Sequence, residues 1–130
     1  MPNARALIVD DDQNVRRMLK VILRLRDIDV VEAVDGLAAF DTLQKEHFDV
    51  VFSDVSMPNM NGFELLSRIK RNRKLASIPV VMLTSENRDE DLAKGKKLGC
   101  ACYLIKPFNT EKLDDALRSA HIEWKGQLAV

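Results

Sequence analysis

Apolar residues follow two alternating rhythms along this chain. Short unbroken runs (Ala6-Leu7-Ile8-Val9, Val50-Val51-Phe52, Val80-Val81-Met82-Leu83 and Tyr103-Leu104-Ile105) are separated by stretches in which apolar positions recur every three or four residues. Runs of this length between breakers read as buried parallel strands, and the periodic stretches as amphipathic helices. Strands are predicted at about 5–9, 29–33, 49–53, 79–83 and 102–105. Helices are predicted over 13–26, from Asp35-Gly36 through about Glu46, over 62–72, over 89–98, and from near Thr110.

The helical faces differ in kind. Leu37, Phe40 and Leu43 share one face of the second helix, and Phe63, Leu66 and Ile69 one face of the third. In the last helix Leu113, Leu117, Ala120 and Trp124 form an i, i+4, i+7, i+11 stripe, which extends the predicted helix to Trp124 with Gly126 near its end. The first helix carries two neighbouring stripes: Val15, Leu19, Ile22 and Leu23, expected to face the sheet, and Met18, Val21 and Leu25. Arg16, Arg17, Lys20 and Arg24 make its polar side. Periodicity alone leaves the second stripe open between deep burial and an exposed docking face. The fourth helix is the weakest. Its large apolar residues are mainly Leu92 and Leu98, and Gly95 costs about 1 kcal/mol relative to alanine in a helix interior.

Five strands alternating with five helices predict an α/β fold with a doubly wound parallel sheet. No repeat, low-complexity segment or interdomain linker interrupts the pattern. The expectation is one domain over 1–130, with its core at about 5–124 and a short tail, 127–130, too small for an effector domain.

Composition narrows the class. Hydrophobic residues make up 46% and charged residues 31%, which places the chain among globular proteins. Twenty basic and twenty acidic side chains cancel, so no global charge draws it to nucleic acid or anionic lipid. No apolar stretch approaches membrane-spanning length, and the first strand starts too early for a signal peptide. With only Cys100 and Cys102, no disulfide framework is expected, and a cytoplasmic location with reduced thiols is.

The chemistry lies where the runs stop. The first run ends in Asp10-Asp11, the third-strand run passes Ser53 into Asp54, the fourth ends in Thr84, and the fifth in Lys106-Pro107. Ligands of an open parallel sheet sit at the carboxyl ends of its strands, so three carboxylates, a hydroxyl and an ammonium should converge there. Crowded carboxylates call for protons or a cation. Magnesium suits them: it takes oxygen ligands and completes its shell with water and phosphate. One carboxylate is then a candidate nucleophile for phosphate, with Lys106 and the metal stabilising the transferring group. Any one acid or lysine at a strand end reads more plainly as a solvated terminus; the convergence of five is the signal.

These stretches closely resemble the receiver domain of two-component response regulators, of the single-domain, chemotaxis-regulator-like kind. The resemblance covers about 5–120 and rests on Leu7-Ile8-Val9-Asp10-Asp11-Asp12, Asp54-Val55-Ser56-Met57-Pro58-Asn59-Met60-Asn61-Gly62, Leu83-Thr84-Ser85 and Tyr103-Leu104-Ile105-Lys106-Pro107-Phe108. It implies a flavodoxin-like sheet of order 2-1-3-4-5. It also implies roles: Asp54 as phosphoacceptor; Asp10, Asp11 and Asp54 as holders of Mg2+, with the backbone carbonyl of Ser56; Thr84 as switch hydroxyl; Lys106 as phosphate contact; Tyr103 as switch aromatic; Ser56 and Glu86 as tuners of phosphate lifetime; and a cis Lys106-Pro107 bond. Cys102 stands where many relatives have glycine or aspartate, which weakens assignment to one large DNA-binding class.

The resemblance implies phosphorelay signal transduction. The chain would take a phosphoryl group from a phosphohistidine on a histidine kinase or phosphotransfer protein and pass the signal to a downstream protein by contact. It would be a signalling domain rather than an enzyme, though one that promotes its own phosphorylation and dephosphorylation. A receiver domain of a larger regulator with a separate output domain is the alternative. A haloacid-dehalogenase-like phosphatase would want a second acid where this chain has Ser56, and a flavodoxin-like flavin protein a phosphate-binding loop in place of Asp10-Asp11-Asp12. A phosphorylation-independent interaction module would have no need of the complete site. Three weaker signals read plainly. Cys100 and Cys102 are small packing residues, His47 and His121 surface or helix-end residues, and Arg68, Lys70, Arg71, Arg73 and Lys74 a solvated helix terminus.

Overall fold

β1 (Arg5–Val9), β2 (Asp29–Ala33), β3 (Val50–Asp54), β4 (Val80–Thr84) and β5 (Cys102–Ile105) pair in parallel in the order β2-β1-β3-β4-β5. The computed structural model describes residues 3–85 and 88–124. Between and after the strands come α1 (Gln13–Leu25), α2 (Gly36–Lys45), α3 (Gly62–Arg71), α4 (Asp89–Leu98) and α5 (Thr110–Ser119). Among the described residues no helix is long and apolar enough to cross a membrane.

The unbroken runs have their physical reason in two-sided burial. Every residue of β3 and β4 is buried, as is β1 after Arg5, whereas the edge strands β2 and β5 are only partly covered. Alternate residues supply opposite layers. Ala6, Ile8, Val50, Phe52, Val81 and Leu83 pack with Leu19 and Leu23 of α1 and Leu113 and Leu117 of α5. Leu7, Val9, Val51, Val80 and Met82 pack with Leu43 of α2 and Phe63, Leu66 and Ile69 of α3. Each Val, Leu, Ile, Phe or Met among them contributes about 1.5–3 kcal/mol on full burial.

Caps set where the helices begin. Side-chain oxygens of Asp12, Asp35, Asn61 and Asn109 accept from the backbone N–H groups of Asn14, Ala38, Glu64 and Lys112. α4 has no such side-chain cap; Asp89, Glu90 and Asp91 in its first turn offset this through the helix dipole, and Gly99 closes it in the left-handed region at φ 98°. Its one buried residue is Gly95, in keeping with the weak apolar pattern.

Several expectations change. β3 and β4 each run one residue further than the apolar runs suggested, so Asp54 and Thr84 are the last residues of their strands. α5 stops at Ser119 and does not reach Trp124. Ala120 caps it and His121, at φ 59°, turns the chain; Trp124 returns to pack against the α1/α5 layer, with the Arg118 guanidinium 5.5 Å from its ring centre. Leu37 is exposed; Leu43 is buried and Phe40 partly so, as the spacing predicts, and Ala39 is buried with them. Lys70 is no solvated terminus: its ammonium donates to the carbonyls of Ala76 (3.0 Å) and Ile78 (3.2 Å), tying α3 to the loop before β4. Gly126 and the 127–130 tail lie outside the described residues.

Candidate functional site

The three central strands and β5 deliver their end residues to one edge. Asp10, just past β1, is fully buried; its carboxylate accepts from the Asp12 N–H (2.9 Å) and from the Lys106 ammonium (2.8 Å). Asp54 ends β3 and is 8% exposed; its carboxylate lies 3.5 Å from the Lys106 ammonium and accepts a long bond from the Ser56 N–H at 3.4 Å. Thr84 ends β4, and its carbonyl accepts from the Lys106 N–H at 2.7 Å, which fixes the residue carrying the ammonium beside the strand carrying the hydroxyl. The Lys106–Pro107 bond is cis.

Asp10, Asp11 and Asp54 each offer a carboxylate oxygen, all within 4.8 Å of one another, Asp11 exposed and the other two buried. Asp12 stands apart from this group because its side chain caps α1. Three hard oxygen donors, one open to solvent, fit a divalent ion of the magnesium type, which keeps several waters.

The electrostatics follow from burial. Desolvation raises the proton affinity of Asp54, the Asp10 charge raises it further, and Lys106 only partly opposes them. For Lys106 burial works against the charge, yet the hydrogen bond to Asp10 and the charges of Asp54 and Asp10 outweigh it, so its pKa is raised. The ammonium therefore stays charged in the neutral range.

The loop after Asp54 depends on a close approach. Gly62 opens α3 directly over β3: a side chain there would overlap the Asp54 carbonyl oxygen and stand 2.9 Å from the Val55 Cα. Gly62 N–H donates to the Val55 carbonyl at 2.8 Å, and the buried Met60 anchors the turn below. Asn59, in the left-handed region at φ 68°, reaches across to the Asp35 carboxylate (2.9 Å).

Among the other residues singled out from sequence, Tyr103 sits on the α3/α4 side of the sheet, where its hydroxyl donates to the Asp91 carbonyl at 2.5 Å; burial, with Cys100 nearby, raises its pKa. Ser56 is exposed beside Asp54. Glu86 lies outside the described residues. Cys100 and Cys102 are free and pack against opposite layers; burial pushes the Cys102 thiol up to about 11. His47 is exposed, 3.2 Å from Asp49. Arg16, read from sequence as part of the polar side of α1, instead donates to the Asp10 carbonyl at 2.7 Å and pairs with Glu32 at 3.3 Å. One signal for it existed: a cation near the N-terminus of a helix with no acid in its first turn opposes the dipole and wants a local partner.

Known proteins share this fold. The family model described as the response regulator receiver domain matches residues 6–118. The chain is 39% identical to the chemotaxis protein CheY-3 of Vibrio cholerae over 88% of its own length and 89% of that protein. It is 35% identical to the protein PilG of Pseudomonas aeruginosa, covering 91% and 87%. It is also 35% identical to the probable transcriptional regulator ycf29 of Porphyra purpurea, of which it spans 54%. The solved structure of the chemotaxis response regulator CheY4 of Vibrio cholerae superposes with a TM-score of 0.85 at 37% identity, over 91% of this chain and 98% of that one. A family model accounting for nearly all of the folded core, with relatives matched along most of their length, leaves one assignment: the chain belongs to the response regulator receiver domains, and with them to two-component signalling.

Proposed function

We propose that Asp54 accepts a phosphoryl group from a phosphohistidine, with Mg2+ held by Asp11 and Asp54, by Asp10 partly through water, and by the Ser56 carbonyl. The observation that carries this reading is the pairing of a three-carboxylate cluster with one ammonium that touches both Asp10 and Asp54. A carboxylate oxygen of Asp54 forms the new O–P bond as the donor's P–N bond breaks, and the imidazole leaves with the electron pair. Burial strips water from the Asp54 carboxylate, which raises its basicity and with it its reactivity toward phosphorus. Lys106, held charged, contacts the phosphoryl oxygens, and Thr84 turns its hydroxyl to them as the switch. Magnesium, when bound, supplies further charge neutralisation on the transferring group. Ser56 and Glu86 set how readily water removes the phosphate again. Tyr103 couples the change to α4.

The chain acts as a single receiver domain in the cytoplasm. Its phosphodonor, a histidine kinase or phosphotransfer protein, docks on α1, where Met18, Val21 and Leu25 are 39%, 55% and 77% exposed. A downstream protein reads the outcome. One observation favours a second reading, a receiver domain within a larger regulator: the chain matches only about half of ycf29.

Incubation with acetyl phosphate and magnesium, followed by intact-mass measurement, tests the central assignment. One added phosphoryl group is expected, and none in Asp54→Asn. Unchanged labelling of Asp54→Asn overturns it.

A further inference from the structure

Gly95 is costly where it stands, in the middle of α4, and nothing in phosphoryl transfer asks for it. The structure supplies a reason. Gly95 is the one buried residue of α4, and the ring of Tyr103 from β5 lies against its bare Cα. A Cβ at this position would overlap the Tyr103 hydroxyl outright, stand 2.7 Å from Cζ and 3.1 Å from Cε2. The same hydroxyl donates to the Asp91 carbonyl one turn earlier, at 2.5 Å. Asp91 and Gly95 are four residues apart, so they lie on one face of the helix. The phenol tip is thus seated on α4 by a hydrogen bond on one side and by a missing side chain on the other. α4 offers no fully buried large apolar residue of its own, and this seat ties its middle turn to β5.

We propose that Gly95 is the positioning residue for Tyr103: its missing side chain forms the socket that holds the aromatic against α4 and keeps its hydroxyl on the Asp91 carbonyl. Any side chain at 95 displaces the ring, because a tyrosine side chain yields more easily than the backbone of β5 or α4. The proposal deepens the switch role given to Tyr103 above, but its test does not pass through Asp54, so the two readings fail separately.

The test is a double-mutant cycle read by thermal unfolding, together with the NMR contacts of the chain's only tyrosine. By helix propensity alone, Gly95→Ala raises the melting temperature by about 3–4 °C. The socket predicts that it falls when Tyr103 is present and rises by that amount in the Tyr103→Ala background. It also predicts that the cross-peaks between the Tyr103 ring and the α protons of Asp91 and Gly95 vanish in Gly95→Ala. An equal rise in both backgrounds, or ring cross-peaks that survive in Gly95→Ala, overturns the proposal.

Discussion

The Lys106 ammonium lies 2.8 Å from a carboxylate oxygen of Asp10, the latter fully buried and the former one-fifth exposed. The pair sits at the edge where β1 and β5 end, 96 residues apart in sequence, so it forms only when the sheet is complete. A buried pair of this kind adds little over an apolar replacement, but removing one partner leaves a charge in low dielectric, at a cost of about 3–5 kcal/mol. Lys106→Met is therefore expected to destabilise the fold by about that amount in urea unfolding, and Asp10→Asn in the same chain to recover most of it. If the two substitutions prove additive, the pair is not coupled as its geometry indicates.

Asp54 carries the opposite sign. Its folded pKa is raised, chiefly by burial and then by Asp10. The native state thus holds its proton at a pH where the unfolded chain, titrating near 3.9, has lost it. Stability falls as pH rises through that window, because the native state binds more protons there. Asp54→Asn removes the penalty. It is expected to raise stability at neutral pH, and the gain should shrink as pH drops toward the ordinary carboxylate range and vanish below it. Urea unfolding of both chains across pH 4 to 8 measures this. A gain independent of pH contradicts the raised pKa.

Magnesium should add stability by mass action, about 2.7 kcal/mol when its free concentration is a hundred times Kd. The melting temperature is expected to climb across a magnesium titration, and Asp11→Ala and Asp54→Asn each to flatten the response. An undiminished shift in Asp11→Ala removes that residue from the metal set.

What the sequence made legible was the part built from strand ends. An apolar run that stops at a charged residue marks both a buried strand and its carboxyl edge. Asp10, Asp11, Asp54, Thr84 and Lys106 are all candidates on this ground, and the structure brings the three carboxylates and the ammonium together. What stayed hidden depended on contacts between distant segments or on a reversal of the chain. The stripe ending at Trp124 has helical spacing, yet Trp124 reaches the same core by doubling back after His121, since periodicity records which residues are apolar and not where the helix stops. Leu37 has the right spacing and is exposed all the same, while the small Ala39 is buried without contributing a strong apolar signal. Lys70 reads as a solvated cation until its carbonyl partners, 6 and 8 residues on, fold over it. Gly95 reads as a defect until Tyr103 is placed against it.

The two stripes of α1 make the last prediction. Leu19 and Leu23 are fully buried and pack on the sheet with Val15 and Ile22 beside them, whereas Met18, Val21 and Leu25 remain open to solvent. Core truncation and surface truncation therefore separate cleanly on one helix. Leu19→Ala is expected to cost about 2–5 kcal/mol by cavity formation, and Met18→Ala or Val21→Ala less than about 0.5 kcal/mol. The exposed stripe starts within two turns of Asp12, the residue after the acidic pair, so a helix docked along it would bring its own side chains near Asp54. An apolar patch beside a polar site suits a helical partner whose phosphohistidine must reach the carboxylate. Met18→Ala with Val21→Ala is expected to slow transfer from a phosphorylated kinase or phosphotransfer protein by about tenfold, on the order of 1.4 kcal/mol of docking energy. Labelling by acetyl phosphate should be unchanged, because that donor needs only the strand-end residues. Protein-to-protein transfer in the double variant at the rate of the unsubstituted chain, with stability intact, would show that the donor approaches Asp54 without α1.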